Sequence, residues 1–175
     1  MRVNSIKNQY NGYSSPNFGN SKRIFLCSPL TLGTDAVTEI SQKNAIMQAN
    51  LKKAEEYCRK LMLNGDYPYA PHLYATRFAD EHNPDERTMG INIGLAFLRL
   101  CDALCVFSKT GKLGKGMGTE IKEAAKNRLP IIFIKDGTDC PDEFIKSFAN
   151  QNNININILE DSELGKIDTI IEENR

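Results

Sequence analysis

Residues 102–134 open with the apolar run Asp102-Ala103-Leu104-Cys105-Val106-Phe107 and close with a second one, Pro130-Ile131-Ile132-Phe133-Ile134. Between them lie a Gly/Lys loop, Ser108 to Gly116, and a stretch from Met117 to Arg128 with helical apolar spacing. The two runs are too short for core helices and do not alternate polar with apolar, so they read as strands covered on both faces. A strand, a helix and a second strand of this kind form a unit of a parallel sheet.

Working outward from this unit, the same alternation continues. Upstream, Met89, Ile93, Ala96, Phe97 and Leu100 recur at i, i+4, i+7, i+8 and i+11 and predict a helix. The polar segment Asp80-Glu81-His82-Asn83-Pro84 precedes it, with Asn83 or Asp85 as the helix cap. Tyr67 to Pro71 predicts a short strand running into a loop. A long helix is expected from about Ser41 to Asn64, with Ile46, Ala54, Tyr57 and Leu61 as its stripe and Gly65 at its end. Arg23 to Ser28, stopped by Pro29, predicts the first strand. Downstream, a helix near Pro141 to Asn150, a strand at Ile154 to Leu159 and a helix from about Ser162 complete an α/β, doubly wound pattern. The expected division is a flexible N-terminal tail over 1–21 and one α/β domain over 22–175.

Composition narrows the function classes. The 22 basic and 22 acidic residues cancel, which gives no footprint for duplex nucleic acid or an anionic membrane. No apolar run reaches the roughly 18 residues of a membrane span, and no signal-peptide core opens the chain. Cys27, Cys58, Cys101, Cys105 and Cys140 are scattered through apolar segments, a pattern of reduced thiols in a cytoplasmic protein. No second Cys or His pair stands at zinc spacing, so neither a metal nor a cofactor is expected.

In doubly wound sheets, ligands sit beyond the carboxyl ends of the strands. The loops after Cys27, Ala70, Phe107 and Ile134 are therefore the candidates. Lys109, Lys112 and Lys115, with the four glycines between Ser108 and Gly118 and a helix N-terminus, would suit an anion such as phosphate. The alternative is a solvated loop. A P-loop would need Lys-Ser/Thr after Gly116, where Met117-Gly118 stands. Helix phase puts Met117, Ile121, Ala124 and Ala125 on one buried face, with Glu123 and Lys126 well away from it. Glu120 lies beside that face in the first turn, either as a partly desolvated carboxylate at a ligand or as a plain complement to the helix dipole. His72 stands on the functional edge, as a ligand contact or a loop-fixing residue. His82 is expected in solvent. Arg87 has the neighbouring acids or a ligand phosphate as partners, and one of those acids could reach the pocket as a proton donor.

Five segments in order carry a family resemblance: Ile24-Phe25-Leu26-Cys27-Ser28-Pro29, Tyr69-Ala70-Pro71-His72, Asn83-Pro84-Asp85-Glu86-Arg87, Cys101 to Phe107, and Gly116-Met117-Gly118-Thr119-Glu120-Ile121. Together they resemble the nucleoside 2-deoxyribosyltransferase-like superfamily, in its branch of small bacterial and phage (DUF4406-like) proteins, over roughly Lys22 to Ile134. The resemblance implies a single flavodoxin-like (Rossmann-like) three-layer domain with a parallel sheet of about five strands. It also implies a homo-oligomer with the site near a subunit boundary, and a small-molecule nucleoside or nucleotide as partner. Glu120 aligns with the superfamily nucleophile, which attacks the anomeric carbon to form a glycosyl-enzyme ester. Asp102 aligns with an Asp linked to the sugar or to proton transfer, although the start of a strand is the wrong end for the pocket. Ser28, Pro29, His72, Ser108, Gly114, Gly116, Met117, Gly118 and Thr119 are the expected substrate and phosphate contacts.

Two departures matter. Phe25 stands where many of the transferases have a Tyr whose hydroxyl bonds the catalytic carboxylate, and Gly114 stands where related loops often have Ser. They favour altered chemistry or binding without turnover. The implied functions are therefore N-glycosidic cleavage or base exchange, a non-catalytic module that senses or sequesters a nucleotide-derived ligand, or NAD glycohydrolysis. The Pro-Gly-Gly-x-Gly-Thr-x-x-Glu motif of the cytokinin-activating phosphoribohydrolases does not fit: its Glu would fall at Lys122.

Overall fold

The computed structural model describes residues 21–108, 112–135 and 142–174. The expected tail over 1–21 thus lies, but for Ser21, outside the described residues, as do Lys109 of the Gly/Lys loop and Cys140. Five strands form the sheet: β1 (Arg23–Cys27), β2 (Tyr67–Tyr69), β3 (Ala103–Ser108), β4 (Ile131–Lys135) and β5 (Asn157–Glu160). The helices are α1 (Ile40–Asn64), α2 (Pro71–Ala75), α3 (Pro84–Leu98), α4 (Lys115–Lys126), α5 (Asp142–Asn152) and α6 (Ile167–Glu173). Strand order is β2-β1-β3-β4-β5 with every pairing parallel. This is the flavodoxin-like arrangement.

Strand residues point alternately to opposite faces, which explains why the runs are apolar throughout. Ile24 and Leu26, Cys105 and Phe107, and Ile132 and Ile134 pack on one face against Tyr57 and Leu61 of α1 and Ile167 and Ile171 of α6. Phe25 and Cys27, Leu104 and Val106, and Phe133 pack on the other against Leu98 of α3, Ile121 of α4 and Ile145 of α5. The result is three layers. Among the described residues no helix is long and apolar enough to cross a membrane.

Local signals act where they were expected. Gly65 adopts φ 102° and ends α1, with the Gly65 and Asp66 amides donating to the Met62 and Leu61 carbonyls. Asn83 caps α3 by accepting from the amides of Asp85 and Glu86. Three expectations need correction. The segment after β2 is a helix, not a loop, because Pro71 takes the first helical position, where its missing N–H costs nothing. The C-terminal helix is preceded by a 3-10 turn over Asp161–Lys166. Most of the stripe read on α3 does not face the sheet, although the Phe97 ring stacks on Tyr69 of β2 at 4.7 Å. Gly90, Gly94 and Leu98 are the buried positions, while Met89, Phe97 and Leu100 are exposed.

The reason lies in how closely α2 and α3 approach. A Cβ added at Gly94 would sit 2.9 Å from the Pro71 Cβ, and one at Gly90 would meet the Ala75 Cβ at 3.4 Å. Only small side chains fit where this face of α3 passes α2. Gly118 in α4 is the opposite case, with no atom within 4 Å of an added Cβ. Gly94→Ala is accordingly expected to destabilise the fold by about 1–3 kcal/mol through overpacking. Gly118→Ala is expected to stabilise it by up to about 1 kcal/mol through helix propensity. Urea titration of both variants checks this, and equal effects would contradict the packing argument.

Candidate functional site

The strand order reverses direction between β1 and β3. Beyond their carboxyl ends lies a cavity of about 80 Å³, open to solvent on one side. Its walls come from four places. Ser28 to Leu32 follow β1, and Pro71, His72 and Ala75 belong to α2. Glu81, Arg87, Gly90 and Ile91 come from the α2–α3 connection and the first turns of α3. Gly114 to Met117 and Glu120 come from the start of α4.

Helix phase places Glu120. Met117, Ile121 and Ala124 are buried against the sheet, and Glu120 sits at the edge of that face, half-buried and lining the cavity. Burial pushes its carboxyl from the ordinary 4.5 up to about 7, while the Cys27 thiol, hydrogen-bonding to it from the end of β1, pulls the other way. The same burial, with Glu120 beside it, holds the Cys27 thiol well above its ordinary range. The Cys27 Sγ also lies 3.9 Å from the Met117 carbonyl. At α4's start, Gly114 offers no side-chain cap, so the first amides of the helix are left for solvent or a ligand.

On the facing wall, the Ser28 Oγ and His72 Nε2 are 3.0 Å apart, and both residues are buried. Burial lowers the His72 imidazole to about 4, so it is neutral at physiological pH. Arg87 is held on two sides: its NH1 donates to the Glu81 carboxylate at 3.3 Å and its NH2 to the Thr31 hydroxyl at 3.2 Å. The Glu81 side chain keeps only 10% exposure, and its burial raises the carboxyl despite the Arg87 charge. The cavity therefore holds two carboxyls whose proton affinity burial raises, strongly at Glu120 and against an ion pair at Glu81.

Of the residues expected here, Ser28, Pro29, His72, Gly114, Gly116, Met117 and Glu120 come together around the cavity. Asp102 does not. It stands at the amino end of β3, where Arg23 grips it through Nε at 3.0 Å and NH2 at 2.9 Å, with the Arg23 amide at 2.8 Å. That is a brace between the starts of two strands at the edge of the sheet opposite the cavity. Ser108 is buried at the end of β3 and donates to the Lys112 carbonyl instead of lining the cavity. Gly118 and Thr119 are also outside the lining, the Thr119 hydroxyl being turned back to the Lys115 carbonyl. His72 is on the functional edge, but in the first turn of α2 and not at the end of a strand. His82 is exposed, as expected, with Nε2 2.8 Å from the Asn44 Oδ1. Thr31 was not anticipated, and Glu81 and Arg87 were only secondary candidates. No sequence spacing signals that their connection folds back over the cavity.

The fold and the site together define a flavodoxin-like three-layer domain with a desolvated carboxylate at its switch point. The chain belongs to the family described as Domain of unknown function (DUF7768), whose model matches residues 22–134. No curated protein matches the sequence. Among solved structures, it is similar to a 2-deoxyribosyltransferase from the psychrotolerant bacterium Bacillus psychrosaccharolyticus, described as a biocatalyst for the synthesis of antiviral and antitumoral nucleosides. The two share 14% identity and superpose with a TM-score of 0.53 over 85% of this chain and 95% of that one. At that identity the likeness is one of fold.

The raised Glu120 carboxyl has a consequence for stability. The unfolded chain ionises this group at an ordinary pH and the folded chain only near 7. Between those values the unfolded state binds fewer protons, so stability falls as pH rises. The loss amounts to about 3 kcal/mol and is complete above about pH 7.5. Glu120→Gln removes the titrating group. Its stability relative to the parent is expected to increase between about pH 5 and pH 7.5, measured by urea denaturation across that range. A difference that does not change with pH would refute the desolvated carboxylate.

Proposed function

We propose that this protein breaks the N-glycosidic bond of a nucleoside or nucleotide, with Glu120 as nucleophile, and passes the sugar to water or to a second base. The observation that supports this reading is the half-buried Glu120 carboxyl on the wall of a cavity at the sheet's switch point. Stripped of water, a carboxylate is a better nucleophile, and its attack on C1′ spreads a charge that the site otherwise holds at a cost. The similar fold of the 2-deoxyribosyltransferase supports the same class of chemistry.

In the proposed first step, a Glu120 oxygen bonds to C1′ while the C1′–N bond breaks and its electrons pass to the base. Glu81, on the same cavity wall and with its proton affinity raised by burial, passes a proton to the departing base. In the second step water attacks C1′, Glu81 takes a proton from it, and Glu120 leaves as carboxylate. The neutral His72 suits this site. An imidazolium would oppose the positive charge developing on the sugar, whereas the neutral ring with Ser28 can hold a sugar hydroxyl. Phe25 is fully buried and has no hydroxyl to orient Glu120, and the Cys27 thiol is the side-chain donor beside that carboxylate.

Incubation with deoxynucleosides, deoxynucleotides, ribonucleotides and NAD, followed by chromatography for free base, tests the proposal. Base release is expected to be bell-shaped in pH, since it needs Glu120 ionised and Glu81 protonated, and to fall by at least about a thousandfold in Glu120→Gln. Glu81→Gln is expected to slow release by about a hundredfold or more. Intact ligand retained through purification, with no turnover of any panel member, would replace the enzyme by a binding module.

A further inference from the structure

The loop after β1 forms one wall of the cavity and lies outside helix and strand, yet its successive carbonyls are held. Asn50 of α1 donates through Nδ2 to the Leu30 carbonyl at 2.7 Å and to the Leu32 carbonyl at 3.3 Å. The Thr31 carbonyl between them accepts from the Thr34 amide at 3.1 Å and the Thr34 hydroxyl at 2.8 Å. Buried backbone groups that are paired in this way fix the path of an irregular segment. They also fix the direction of the Thr31 side chain. Asn is a poor residue for a helix interior, because its side chain competes for backbone groups. In α1 that competition is turned outward, onto a loop 18 and 20 residues upstream. Asn50 itself is not part of the cavity wall.

The loop presents the Thr31 hydroxyl to Arg87, whose NH2 donates to it at 3.2 Å. Arg87 NH1 in turn donates to the Glu81 carboxylate at 3.3 Å, the one hydrogen bond that this carboxylate makes among the described residues. Glu81 stands in the turn between α2 and α3, so no helix or strand orients it. A free Arg side chain samples many rotamers, and one long bond to a carboxylate does little to offset that entropy. Pinning NH2 at Thr31 removes much of this freedom before Glu81 is engaged, since the guanidinium is planar and rigid. The contacts therefore run in series from α1 to the cavity: Asn50, the backbone of Leu30 and Leu32, Thr31, Arg87 and Glu81.

We propose that Asn50 and Thr31 are positioning residues for Glu81, acting through Arg87 to hold the carboxyl where a departing base can take its proton. The inference rests on the role proposed above for Glu81. The two carboxyls of the cavity are then set by separate means. The phase of α4 places Glu120, whereas a chain of hydrogen bonds that begins outside the cavity places Glu81. Breaking a link in that chain weakens proton delivery and leaves the nucleophile where it is.

Base release by Asn50→Leu and by Thr31→Val is expected to fall by about tenfold, less than in Glu81→Gln, with circular dichroism unchanged. Thr31→Ser keeps the hydroxyl and should recover most of the rate that Thr31→Val loses. In a Glu81→Gln background the first two changes should each cost less than about twofold more, because no acid remains to be positioned. Full additivity in that background, or Thr31→Ser as slow as Thr31→Val, would overturn the proposal. Hydrogen exchange of the ligand-free protein tests the contacts without turnover. Peptides spanning residues 28–33 and 77–87 are expected to exchange at least about tenfold faster in Asn50→Leu, while those of α4 do not change. A parent that releases no base would remove the proton-donor role. Exchange unaltered in Asn50→Leu would remove the positioning itself.

Discussion

The arrangement depends on a constraint of chain path. After β1 the chain crosses to α1 on one face of the sheet, and after β3 it enters α4 on the other. Two neighbouring parallel strands whose exits diverge cannot fill the space beyond their ends. β1 and β3 are hydrogen-bonded neighbours, so the gap is narrow and its floor is backbone already satisfied by the sheet. Side chains that reach into it are removed from bulk water and are not otherwise needed by the core. Ser28 and Glu120 are therefore brought together by topology, though 92 residues apart in sequence.

That topology imposes an electrostatic condition. A carboxyl placed in the gap loses hydration, and the Cys27 thiol that bonds Glu120 is a weak donor that offsets little of that loss. Glu81 has a guanidinium partner, yet burial still dominates its proton affinity. His72 answers the same condition in the opposite sense, by remaining neutral. A structural ion pair would have been arranged otherwise. Arg23 and Asp102 illustrate this at the far edge, where three hydrogen bonds meet the carboxylate and the Arg23 side chain remains open to solvent. The contrast between the two edges separates carboxyls whose proton affinity burial raises from one whose charge ties strands together.

The sequence was most legible where a residue's own backbone preference or periodicity decides the outcome. The apolar runs at 103–107 and 131–134, Gly65 at the end of α1 and Asn83 at the start of α3 were all readable, as was the phase that brings Glu120 beside the buried face of α4. Long-range contacts were less so. Glu81 and Arg87 lie in a polar connection whose composition reads as solvated, and only the packing of α2 on α3 turns it over the cavity. Asp102 stands where the strand reading put it, at the end away from the pocket, and only the role that the resemblance implied for it finds no support there. His72 was located correctly for an incomplete reason, since Pro71 starts a helix there.

α3 marks the limit of periodicity as a signal. Apolar spacing at i, i+4 and i+8 identifies a surface that excludes water, but not whether the excluding partner belongs to the same chain. On this helix the conspicuous stripe is the outer one, and the inner face is written in glycines that carry no hydrophobic signal at all. Gly94 is small because Pro71 is in the way, not because the position is polar. The large residues thus lie where the chain's own core has no room for them. Met89 and Leu100 accordingly stay in solvent, and Phe97 keeps part of its surface there while its ring stacks on Tyr69.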